Sequence, residues 1–269
     1  MSKEDVWPTW LKKYVPRDLK SYGVRTIVIN KDRSRENIDK KMDGDPRSRR
    51  VRFVCQRCNN TWMSRLQERA KPILLPLILG NRAVLSRKAQ SIVAGWCAMS
   101  VMNADFFFPE RHAVPQSHRD HLRTTFEPPP DTWKIWIGNY KRDKWKAHWA
   151  RQSMPISSEK HTPEITKEGL PRPNTQATTI VFGQLYVHVF SSLFPEMVAR
   201  TWIAGQGLEK VAQLWPVRED FIAWPINSML DQDADNIAAA IFNMLDRISG
   251  DIAADQNASH GVTSSVAKQ

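Results

Sequence analysis

The stretch Arg52-Phe53-Val54-Cys55-Gln56-Arg57-Cys58-Asn59-Asn60-Thr61-Trp62-Met63-Ser64-Arg65-Leu66 decides how this chain is read. Arg52-Phe53-Val54 predicts a short strand running into Cys55. Two residues separate Cys55 from Cys58, a spacing that lets a tight knuckle point two thiolates at one metal. Beyond the knuckle, Asn59 or Asn60 can cap a helix whose apolar face is Trp62, Met63, Leu66 and Ala70, with Pro72 ending or bending it. A structural zinc takes four ligands, and the knuckle supplies two. The same pair also suits reduced thiols at a helix start without metal, or a redox dithiol. His112, His118 and His121 are the nearest candidates to complete a metal site, but nothing in the sequence requires them to approach, and a solvated loop is expected there. Cys97 lies in an apolar helical pattern and reads as a small core residue.

Upstream of the knuckle the chain is basic. Residues 1–90 hold 22 Lys/Arg against 9 Asp/Glu, net +13, whereas residues 91–269 hold 17 against 19, net −2, giving the total of +11. Arg47, Arg49, Arg50 and Arg52 sit just before Cys55, and Arg57 lies inside the knuckle. A cluster of this kind can neutralise several phosphates, with binding that weakens steeply in salt; a solvated basic loop has the same composition. A length of 269 residues with 41% hydrophobic side chains allows one sizeable core, or a core plus a small satellite module. Three cysteines exclude a disulfide-dense secreted scaffold. The start Met1 to Pro8 is polar, and the apolar stretches Ile73 to Leu79 and Ile92 to Met102 are shorter than the roughly 20 residues that cross a bilayer. A cytoplasmic protein with no membrane partner is expected.

Outward from this segment, Ser2 predicts a helix cap over Lys3 to Tyr14, and Arg25 to Ile29 a strand followed by an exposed loop. Ser86 to about Asn103 carries apolar residues at helical spacing. Thr132 to Ile137 and Lys144 to Trp149 read as an antiparallel hairpin, and Gln176 to Phe190 as one long strand or a strand passing into a helix. Trp215-Pro216 and Trp224-Pro225 predict ordered extended segments, and Asp235 to Arg247 a final helix. The chain has 11 Trp, and those at 133, 136, 145 and 149 share no strict alternation, which favours core packing over a stacking platform for bases.

The knuckle stretch, together with Lys3-Glu4-Asp5-Val6-Trp7-Pro8-Thr9-Trp10-Leu11, resembles a bacterial and phage family with an HNH-endonuclease-like N-terminal module. Trp136-Ile137-Gly138, Thr178 to Gly183 and the Trp-Pro segments extend the likeness over most of the chain. The resemblance implies a strand pair and a helix that hold one catalytic divalent ion, Mg or Mn, beside a histidine that activates water against a phosphodiester. It also implies a structural zinc between two Cys-x-x-Cys pairs. Cys55 and Cys58 match the second pair, the first would lie upstream of Met1, and Asn59 falls at a frequently polar position.

Where the family has its histidine, this chain has Asp5, which can bind a divalent cation but is a poor base at neutral pH. In an active version Asp5 and Asn59 would serve the metal, with His148 or His112 as the base. The expected fold class is therefore α+β: an HNH-like, treble-clef-like basic module over 1–80, a mixed helical and antiparallel β region over 81–248, and a disordered tail over 249–269. The expected function is an HNH-derived protein associated with nucleic acid, DNA rather than RNA, with weak or lost metal-dependent phosphodiesterase activity and an incomplete zinc site. The alternative is a structural or interaction module with a protein partner or a second copy of itself.

Overall fold

The computed structural model describes residues 2–5, 8–14, 21–29, 35–43, 50–107, 112–142, 149–158, 161–167, 169–201 and 208–239. The tail over 249–269 and the Lys144 to His148 part of the expected hairpin lie outside them.

The chain begins with strand β1 (Ser2–Asp5), a 3-10 turn over Thr9–Lys13, and strands β2 (Ser21–Ile29), β3 (Arg35–Asp43) and β4 (Arg50–Val54). The expected helix over Lys3 to Tyr14 is corrected: Ser2 to Asp5 is extended because it pairs antiparallel with β4, Ser2 opposite Val54 and Asp5 opposite Arg50. The expected loop after Ile29 is corrected as well, since β3 returns antiparallel along the whole of β2. The sequence of β3 is polar and charged throughout most of its length, so composition did not separate strand from loop.

After β4 the knuckle opens a helical run: α1 (Gln56–Cys58), a π segment (Asn59–Met63) and α2 (Ser64–Leu79). Pro72 and Pro76 lie inside α2, so Pro72 does not end it. Each proline removes a backbone donor, but Leu66, Ala70, Leu74 and Leu77 are all fully buried along one face. Burial of each leucine contributes about 1.5–3 kcal/mol, enough to offset the lost ladder bonds. The helix stops at Gly80, whose φ of +70° suits a left-handed C-terminal residue. There Asn81 N–H donates to Pro76 O at 2.8 Å and Gly80 N–H to Leu77 O at 3.2 Å.

Strand β5 (Ala83–Ser86) leads into α3 (Arg87–Ala104), with Ser86 Oγ accepting the Ala89 N–H at 3.3 Å. From Val93 to Ala104 every residue of α3 is buried, so this helix is the central pillar. A short 3-10 turn over Asp105–Phe107 and helix α4 (Gln116–Thr125) follow.

The second half is a sheet built from β6 (Trp133–Tyr140), β7 (Trp149–Met154), β8 (Thr175–Phe182), β9 (Leu185–Ser192) and, after helix α5 (Pro195–Arg200), β10 (Val211–Trp215). Its order is β10-β6-β9-β8-β7, all antiparallel. Strand β11 (Phe221–Trp224) pairs with β5, and β12 (Ser228–Met229) runs parallel to β6. A helix over 231–239 covers part of the expected final helix.

The expected hairpin between Thr132 to Ile137 and Lys144 to Trp149 is corrected. Strand β6 pairs with β9 and β10, and β7 pairs with β8 at the far edge. Gln176 to Phe190 is itself the tight hairpin, turning at Gly183-Gln184 with Gly183 at φ +59°. Glycine at the first central position is what a two-residue hairpin turn of this hand requires.

All residues of β6, β8 and β9 are buried, so the sheet is covered on both faces. Trp133, Ile135, Ile137, Val187 and Val189 face one cluster with α2 and α3, whereas Trp136, Tyr186, Phe190, Met229 and Ile237 form the other. Trp133 and Trp136 thus point to opposite sides and serve packing. The first cluster runs without a break from Leu11 and Val54 through α2 and α3 to Trp224, across the division drawn at residue 80.

Candidate metal and nucleic-acid site

Cys55 caps α1: its Sγ accepts the Cys58 N–H at 3.2 Å, while Asn59 N–H donates to Cys55 O at 3.0 Å. Cys55 is exposed and Cys58 half-buried. The Cys58 thiol donates toward the Cys55 sulfur, which lowers the pKa of Cys55 with help from the Cys58 and Arg57 backbone N–H groups and the Arg57 charge. The same contact, together with burial, raises Cys58. Arg123 of α4 also acts on the Cys58 sulfur, so the knuckle is flanked by cations from two elements. Such a setting favours one thiolate at Cys55.

A zinc site needs more than this pair. Among the described residues, no group of three His, Cys, Asp or Glu side chains is placed to hold a metal ion. The two thiols therefore fit half of a four-ligand zinc site, and His112, His118 and His121 do not complete it.

The remaining site residues expected from the sequence belong to the strand pair, the helix start and two histidines. Asp5 ends β1 opposite Arg50, and Arg52 lies further along the same β4 strand. Asn59 opens the π segment one residue after the knuckle. The register sets Asp5 at the end of the β1–β4 pair away from the knuckle, since it is Ser2 that lies opposite Val54, so strand pairing does not bring Asp5 and Asn59 together. Arg57 is exposed on the knuckle. Arg47, Arg49 and His148 lie outside the described residues.

His112 is placed in a different setting. Its ring stacks on Phe106 with centroids 5.3 Å apart, and Arg172 Nη1 lies 2.9 Å from its Nε2. It belongs to a polar node that no motif or spacing in the sequence marks. Asp105, fully buried, accepts the Ala113 and Val114 N–H groups at 2.9 and 3.0 Å and Arg119 Nη2 at 2.7 Å, and it also pairs with Arg151. Arg119 in turn stands 4.3 Å over the Phe106 ring and donates to Met102 O at 2.9 Å. Every bond of Asp105 joins separate elements, which identifies the node as a clasp between the end of α3, the start of α4 and β7. His118 is buried beside it and accepts the Trp133 indole N–H at 3.1 Å. Burial, then the His121 and Arg119 charges, push its pKa down to about 4, so the ring is neutral and structural.

Two aromatic residues anchor the N-terminal unit. Trp10 packs edge-on against Tyr14 at 6.5 Å, and Lys71 of α2 lies 6.0 Å from its ring centroid. Leu11 and Val54, both buried, carry the strand pair into the main core. No helix among the described residues is long and apolar enough to cross a membrane. Compared with known proteins, the chain matches no family model, no curated protein and no solved structure.

Proposed function

We propose that this protein binds nucleic acid, DNA in preference to RNA, through an HNH-derived N-terminal unit whose metal-dependent cleavage is weak or lost. The observation that carries the reading is the order of elements: β1 antiparallel to β4, then the Cys55–Cys58 knuckle, then a helix, with Asp5 in register with Arg50. This is the strand-pair-and-helix order that the resemblance implies. Net charge of +13 over residues 1–90 supplies a sequence-independent attraction for phosphates. Aspartate in place of the histidine removes the base that activates water, which is why binding is proposed ahead of cleavage.

The test is a salt titration of duplex DNA and RNA binding with the full chain. Arg50→Ala and Arg52→Ala are each expected to weaken binding across all sequences and to reduce the slope of log K against log salt by about 1. Nicking of supercoiled DNA in Mg or Mn is expected to stay near background. DNA binding that ignores salt, or that both variants leave intact, overturns the proposal and favours an interaction module.

A further inference from the structure

Away from the strand pair, a groove of about 510 Å³ opens where α2, the first turns of α3, the end of α4 and the end of β10 meet. That volume is within the range of small-ligand sites. Its cations come from the basic first third of the chain: Arg69 on α2, and Arg87 and Lys88 at the start of α3. Its rings come from the C-terminal two-thirds: Phe126 after α4 and Trp215 at the end of β10. One carboxylate, Glu127, also lines it, leaving a formal charge of +2.

The Phe126 wall of the groove is fixed in place by the left-handed end of α4. Phe126 has a φ of +64°, the one non-glycine residue with positive φ among the described residues. A bulky side chain in that region is a backbone outlier held by its surroundings. The hold is visible: Phe126 N–H donates to Leu122 O at 2.8 Å, and its carbonyl presses so close to α3 that a Cβ at Gly95 would come within 2.1 Å of the oxygen. The Arg69 guanidinium lies 5.5 Å from the Phe126 ring centroid.

The cations are also free to exchange partners. Arg87 pairs with Asp220 at 3.1 Å, but the two side chains are 57% and 85% exposed, and a pair so wet is held weakly. Lys88 is exposed and makes no ion pair among the described residues. Both extend from the N-terminal turn of an 18-residue helix, where anions are favoured.

We propose that this groove binds a nucleoside monophosphate, the base against Phe126 with the largely buried Trp215 as the wall beside it, and the phosphate on Arg87 and Lys88. Rings and cations that line one groove match a ligand with one planar and one dianionic end. The site uses none of the residues assigned to DNA binding, so the two readings fail separately.

Calorimetric titration of the full chain with adenosine monophosphate, inorganic phosphate and adenosine tests it. Saturable binding of the monophosphate is expected, with phosphate and adenosine each at least roughly tenfold weaker. Lys88→Glu is expected to weaken the monophosphate by roughly tenfold or more, since it removes one charge-assisted contact and sets a carboxylate against the phosphate. Phe126→Gly removes the ring while supplying the residue that positive φ prefers, so binding falls and the fold persists, at a melting temperature lowered by the loss of the packing the ring gave to the core. Arg50→Ala with Arg52→Ala leaves monophosphate binding unchanged. No saturable binding, equal binding of bare phosphate, or wild-type affinity in either groove variant overturns the proposal.

Discussion

Asp105 shows how much one side chain can carry. It is fully buried, accepts two backbone N–H groups and joins two arginines that are themselves nearly buried, 12% and 8% exposed. Removing one partner of such a set leaves charge stranded away from water, at a cost of about 3–5 kcal/mol. Asp105→Ala is accordingly expected to lower stability by that amount in urea unfolding, with Asp220→Ala, on the exposed pair, near neutral. The buried histidines give a second prediction. His118 has its pKa pushed down to about 4, chiefly by burial, and His188, wholly buried with Nδ1 2.7 Å from Thr179 Oγ1, is pushed down to about 3 for the same reason. Both rings are neutral when folded and titrate near 6.5 when unfolded, so their contribution is intact above that pH and is lost as the pH falls through the window down to 4 and 3. Each pH unit within it costs about 1.4 kcal/mol per histidine. Unfolding measured between pH 7 and 4.5 should therefore show a shallower acid loss in His188→Asn than in the wild type.

Among the elements, the β8–β9 hairpin is the most exacting. Its turn presses on the end of α2: Gln184 N–H donates to Ile78 O at 2.9 Å, and a Cβ on Gly183 would come within 2.6 Å of that same oxygen. Gly183→Ala meets both this contact and a φ of +59°, so a loss of about 1–3 kcal/mol is expected in thermal melts. The turn was present in the sequence as Phe182-Gly183-Gln184-Leu185, but continuous apolar and β-branched character on either side concealed it. Strands buried on both faces lose the alternation that marks a half-exposed strand. Helix α3 was legible because a cap, Ser86, and apolar residues at helical spacing agree within a few turns. Pairing partners were not legible. Trp133 and Trp149 border one plausible hairpin, yet β6 pairs with strands more than 40 residues away, and local composition carries no record of that. For the candidate site, the order strand, knuckle, helix could be read from Arg52 to Leu66. The pairing of β1 with β4 could not, because Ser2 and the acidic residues after it match a helix start equally well.

At the scale of the whole molecule, one apolar cluster joins Leu11 and Val54 to Trp224 through α2 and α3. Leu66, Ala70, Leu74 and Leu77 of α2 are buried within that cluster alongside Val93, Trp96 and Val101 of α3. A fragment starting at residue 81 would expose the α3 side of this contact, so it is expected to lack a cooperative thermal transition by circular dichroism where the full chain melts as a unit. Charge is divided even though the core is shared, with the basic third on one end of the chain and the near-neutral remainder supplying the sheet. The strand order has its own consequence during synthesis. Strand β6 is made first among its sheet neighbours, yet the strands that pair with it, β9, β10 and β12, begin only at Leu185, Val211 and Ser228. As the chain leaves the ribosome, Trp133 to Tyr140 emerges as an apolar segment with unpaired edges, and it waits for more than 70 further residues before both are covered. Pairing this late and distant is expected to slow assembly of the sheet and to leave β6 open to pairing with copies of itself during synthesis.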